Sequence, residues 1–60
     1  MTIKELRERT GLSQRKFAEK FGIPLKTIQT WEFGASEPRP YIISMIVRIL
    51  DFEDKYEANG

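Results

Sequence analysis

The sequence contains no cysteine and no histidine. Without cysteine there is neither a disulfide nor a thiolate metal site to support a small fold. Without histidine the chain lacks the commonest general base and the commonest zinc ligand. Three prolines and four glycines are all it has to break 60 residues into pieces. No apolar run approaches the roughly 20 residues of a membrane span. The opening MTIKELRERT is charged and helix-like rather than a signal peptide, which predicts an intracellular protein. No nucleophile–base pair or metal set is visible, so neither an enzyme nor a cofactor is expected.

What remains is a soluble, globular composition, 40% hydrophobic and 32% charged, in a chain long enough for one domain at most, 1–60. The net charge of +1 conceals an asymmetry. Residues 1–50 carry nine basic against five acidic side chains, whereas 51–60 carry Asp51, Glu53, Asp54 and Glu57 against Lys55. This pattern fits a basic working face followed by an acidic C-terminal segment, and it also fits an ordinary solvated surface.

Glycines 11, 22 and 34 and prolines 24, 38 and 40 mark out short helices. Ile3, Leu6 and Thr10 give a first amphipathic helix stopped by Gly11. Ser13 is a good N-cap for a second, Gln14 to Phe21, with Phe17, Ala18 and Phe21 facing inward. Ile28 and Trp31 face inward from a third, about Leu25 to Phe33, closed by Gly34. Pro40 suits the first position of a fourth helix, expected to reach about Leu50 or further. No alternating polar and apolar run argues for a strand. The predicted fold is all-α, a small four- or five-helix bundle.

The second and third helices are joined by few residues, with Gly22 at the sharp turn and small Ala18 four residues earlier. Phe17, Phe21, Ile23, Ile28 and Trp31 stand where they would pin one helix across the other. A helix-turn-helix imposes these constraints together.

The segments LRERTGLSQ, FAEKFGI and TIQTWEFG, with Pro38 before an apolar helix, resemble the phage repressor and Cro-like helix-turn-helix family. That family is also called the xenobiotic-response-element family of bacterial regulators. The resemblance covers residues 3–50. It implies a lambda-repressor-like, five-helix, usually dimeric domain that binds double-stranded operator DNA, in a cytoplasmic bacterial or phage-encoded protein. It implies that Leu25, Lys26, Gln29 and Thr30 face bases, with Thr27 beside them. Gln14 would touch a phosphate and brace the recognition helix, and Arg7 and Glu32 would form a structural ion pair. Gln can pair with adenine, Lys can donate to guanine acceptors, and Leu or Thr methyls can pack on a thymine methyl. Arg15, Ser36 and Arg39 are further phosphate candidates, with Lys16 and Arg9 as added electrostatics. The chain departs from the family at Pro24, where Ser or Thr is favoured as the cap, and in the acidic loop Ala35–Ser36–Glu37.

The fourth helix has more apolar residues than one buried face needs. Ile43, Ile46, Val47 and Leu50 fit the core. Ile42, Met45, Ile49, Phe52 and Tyr56 follow at spacings of 3, 4, 3 and 4, as along a coiled-coil seam. They form a candidate homodimer face; alternatively the tail folds back and Phe52 and Tyr56 complete the monomer core. The rival functional class is a protein-interaction module, an antitoxin or anti-repressor that binds a partner protein through the C-terminal helix.

Overall fold

The computed structural model describes residues 2–59, with side chains as far as Tyr56. Four helices follow one another: α1 (Ile3–Thr10), α2 (Gln14–Phe21), α3 (Leu25–Phe33) and α4 (Pro40–Asn59). No strand occurs among the described residues, and no helix is long and apolar enough to cross a membrane.

Local chemistry sets the boundaries. α1 starts in a reciprocal cap: Thr2 Oγ1 accepts from the Glu5 N–H at 3.1 Å, and Glu5 Oε1 accepts from the Thr2 N–H at 2.9 Å. The Ser13 hydroxyl accepts from the Lys16 N–H at 3.1 Å and starts α2. Gly22, at φ 66°, ends α2 in a left-handed turn that a side chain would strain. There the Ile23 N–H reaches the Ala18 carbonyl at 3.0 Å and the Gly22 N–H the Glu19 carbonyl at 3.4 Å. This is the double closure of a Schellman turn, and it fixes the angle at which α3 leaves α2. Pro24 is the N-cap of α3 and makes no side-chain cap. Its carbonyl accepts from Thr27 at 3.0 Å and Ile28 at 3.2 Å.

The core is one cluster: Ile3, Leu6, Phe17, Ala18, Ile28, Ile46 and Leu50, drawn from all four helices. Phe17 and Ile28 are wholly buried. Phe21, Ile23, Trp31, Ile43 and Val47 pack around it, half-buried, together with Leu12. The Phe17 and Phe21 rings lie 4.7 Å apart, tilted.

Two expectations about the C-terminus change. The resemblance implied a fifth helix and the periodicity a fourth reaching Leu50 or further; α4 runs unbroken to Asn59, so the C-terminal segment continues it rather than forming a helix of its own. The physical reason is that positions 41–59 contain neither glycine nor proline. The tail does not turn back into the core either, for Phe52 and Tyr56 are 63% and 71% exposed. The acidic segment is instead the last turns of α4, latched by side chains onto the bundle. Arg9 of α1 donates to Asp51 at 2.6 Å and Asp54 at 2.7 Å, and Lys20 of α2 donates to Glu53 at 2.9 Å. Arg9 is therefore occupied within the molecule.

Candidate nucleic-acid interface

α3 has two chemically distinct sides, and the inward one is tied down. Arg7 Nε donates to Glu32 Oε2 at 2.6 Å, and Arg7 Nη2 to Glu32 Oε1 at 2.9 Å. Arg7 Nη1 donates to the Leu12 carbonyl at 3.0 Å, and Gln14 Nε2 to Glu32 Oε1 at 3.3 Å. One carboxylate thus joins α1, α2 and α3. The Glu32 side chain is only 6% exposed and that of Arg7 19%. The Arg7 hydrogen bonds hold the Glu32 carboxyl below its ordinary range against the opposing effect of burial, with Gln14 adding to the lowering. The same contact raises Arg7. Gln14 is tied to α3 through this bond and stays half-buried at the start of α2.

The outward side follows from helical geometry. At 100° per residue, positions 26, 29, 30 and 33 fall within about 100° of arc, while 28 and 31 lie opposite and 32 lies to one side. Lys26 and Gln29 are exposed, and their side chains have no hydrogen-bond or ion-pair partner among the described residues. Thr30 is half-buried, and its hydroxyl donates to the Lys26 carbonyl at 2.9 Å. That proton is spent within the helix, which leaves Thr30 a methyl group and acceptor lone pairs. Leu25 and Thr27 lie at the two flanks of the arc and are half-buried. Leu25 packs partly against the core, so it offers DNA less surface than Lys26 or Gln29.

Of the phosphate candidates, Arg15, Ser36 and Arg39 are exposed. A shallow concavity at the turn is lined by Arg15, Glu19, Pro24 and Leu25, which sets Arg15 beside the entrance of α3. Arg39 starts α4: its carbonyl accepts from Ile42 at 2.9 Å and Ile43 at 3.4 Å while its side chain stays in solvent. Glu37 is exposed in the same loop.

A third surface lies along α4. Met45, Ile49, Phe52 and Tyr56 are 51%, 39%, 63% and 71% exposed, and the Phe52 and Tyr56 rings stack obliquely at 5.2 Å. Ile42 departs from the expected face: it is half-buried and packs on the core. Its place is taken by Tyr41, 62% exposed, four residues before Met45. The i, i+4 spacing 41–45–49 carried that signal.

A tight turn between two helices, with the second held by packing and an ion pair and left open on its polar side, defines a helix-turn-helix DNA-binding domain. The chain belongs to the helix-turn-helix family of phage repressor and Cro-like type, whose family model matches residues 3–56. That family consists of DNA-binding transcriptional regulators. No curated protein and no solved structure matches the chain. Among the described residues no group of acidic side chains is placed to hold a metal ion.

Proposed function

We propose that the protein is a sequence-specific transcriptional regulator that inserts α3 into the major groove of operator DNA. The observation that carries this reading is the two-sidedness of α3. Glu32 and Ile28 fix it to the bundle, and Lys26 and Gln29 stand exposed and unpartnered on the other side. In this reading Gln29 pairs with an adenine edge and Lys26 donates to guanine acceptors. Thr30 and the flanking Leu25 and Thr27 present methyl groups to thymine. Gln14, Arg15, Ser36 and Arg39 contact phosphates and set the register. Two or three phosphates neutralised per monomer correspond to a log–log salt slope of about −2 to −3.

The exposed stripe Tyr41, Met45, Ile49, Phe52 and Tyr56 supports a partner on α4. A two-fold homodimer through this stripe would set two copies of α3 about 34 Å apart along one face of the duplex. The same stripe would serve the alternative, a module whose main partner is another protein.

Selection of bound sites from random duplex DNA tests the reading. The expected result is a palindromic consensus. Lys26→Ala and Gln29→Ala should alter its sequence, and Gln14→Ala and Arg39→Ala should weaken binding to all sequences alike. Unchanged affinity and preference in Lys26→Ala and Gln29→Ala would remove α3 as the reading element. A stable heteromeric complex without DNA affinity at low salt would favour the alternative.

A further inference from the structure

Phe33 is 88% exposed, the highest value among the large apolar side chains described. It does not pack on the core and makes no ring contact with another aromatic side chain. Nothing in the fold accounts for an aromatic ring there. Its position does. Phe33 lies about 20° around the helix from Lys26 and about 10 Å further along the axis, inside the arc that holds Gln29 and Thr30. It is the last residue of α3, because Gly34 follows at φ 93° and the chain turns away toward Ser36 and Arg39. If Lys26 and Gln29 face the groove, Phe33 faces it too.

We propose that Phe33 is a specificity-determining residue that packs on the C5 methyl group of a thymine in each half-site. This rests on the major-groove reading above. The argument is chemical. A phenyl ring has neither donor nor acceptor for the nitrogen and oxygen pattern of the base edges. The apolar feature that the groove displays on a base is the thymine methyl. A ring projecting from the groove-facing arc therefore selects thymine by burying that methyl, and it discriminates against cytosine, which has none. Lys26, Gln29 and Phe33 then read successive parts of one site, two by hydrogen bonding and one by apolar contact.

The test uses the site obtained by selection. Each thymine is replaced in turn by deoxyuridine, which removes the methyl and keeps the hydrogen-bonding edge. Binding is measured for the unaltered protein, Phe33→Ala and Phe33→Leu. The expected result is one thymine per half-site whose replacement weakens the unaltered protein about fourfold, as for the loss of one buried methyl-sized group. Phe33→Ala should be indifferent to that replacement, and Phe33→Leu should keep part of the sensitivity. Because Phe33 is exposed, all three proteins should unfold at the same urea concentration. A flat uracil scan, or one with equal losses in the unaltered protein and Phe33→Ala, overturns the inference while a site that depends on Lys26 and Gln29 leaves the major-groove reading intact. Failure to select any site overturns both.

Discussion

Removing either partner of the ion pair between Arg7 and Glu32 should cost this small domain much of its stability, because it strands the other. Arg7→Ala removes three donations at once and leaves a carboxylate that is 6% exposed with Gln14, 3.3 Å away, as its remaining partner. Stranding one partner of a buried pair costs about 3–5 kcal/mol. The cavity left by Arg7 admits some water to Glu32, which points to the lower end, about 3 kcal/mol. Glu32→Ala is the milder change. Arg7 keeps the Leu12 carbonyl, and at 19% exposure its freed nitrogens can reach solvent, so about 2 kcal/mol is expected. Replacing both, as Arg7→Met with Glu32→Leu, strands no charge and should fall within about 1 kcal/mol of the unaltered protein. A domain of this size has roughly 3–9 kcal/mol in total, so either single change takes a large share of it. Urea unfolding at pH 7, followed by far-ultraviolet circular dichroism, measures all three variants. Single changes that each cost under about 1 kcal/mol and simply add in the double variant would refute the claim that each partner is needed to keep the other from being stranded.

The same pair fixes the acid response. Glu32 titrates below its ordinary 4.5 in the folded state, so its contribution is complete above that pH and is lost as pH falls through the lowered folded value. Melting temperature against pH should therefore drop below pH 4.5. The Arg7→Met/Glu32→Leu protein should show a shallower limb, with a remnant from Glu5, whose carboxyl is lowered by its hydrogen bonds to Thr2. Pro24→Ser supplies the missing cap, worth about 1 kcal/mol, and gives up about 0.4–1 kcal/mol of proline restraint on the unfolded chain. Its denaturation midpoint should barely move, and a gain well above 1 kcal/mol would show that the proline is strained. Phe52→Glu, on a 63% exposed side chain, should shift stability by no more than about 0.5 kcal/mol yet abolish dimers in sedimentation. A protein that is strictly monomeric on DNA before the change would sink the α4 dimer.

How far the sequence revealed this depends on the range of the interaction. Ser13, Gly11, Gly22 and Gly34 are local signals, and α1, α2 and α3 begin and end where these residues require. The Thr2–Glu5 cap is equally local, with its threonine and glutamate at cap spacing. The sequence leaves open how far α4 runs past Leu50, and the side chains that latch this segment are distant along the chain: Arg9 reaches Asp51 and Asp54, and Lys20 reaches Glu53. No periodicity encodes such pairings. Ile42 is a borderline position. It shares a helix side with Ile46 four residues on, so it sits on the border between the buried and exposed stripes, and only the actual packing decides its side. On α3 the exposure of Lys26 and Gln29 follows from the 100° step alone. The hydrogen bond that occupies the Thr30 hydroxyl depends on its side-chain rotamer, which the step does not fix.

α3 carries its structural and its solvent-exposed residues on different azimuths. Ile28, Trp31 and Glu32 serve the fold, whereas Lys26, Gln29 and Phe33 contribute almost nothing to it. Change is therefore cheap on one side of the helix and expensive on the other. A library randomised at 26, 29 and 33 should consist mostly of folded proteins, so that new target preferences can be screened without first rescuing stability. A library at 28, 31 and 32 should be mostly unfolded. The nine residues of α3 would thus behave in evolution as two independent alphabets written on one rod, one free to drift with the DNA it meets and the other bound to the bundle.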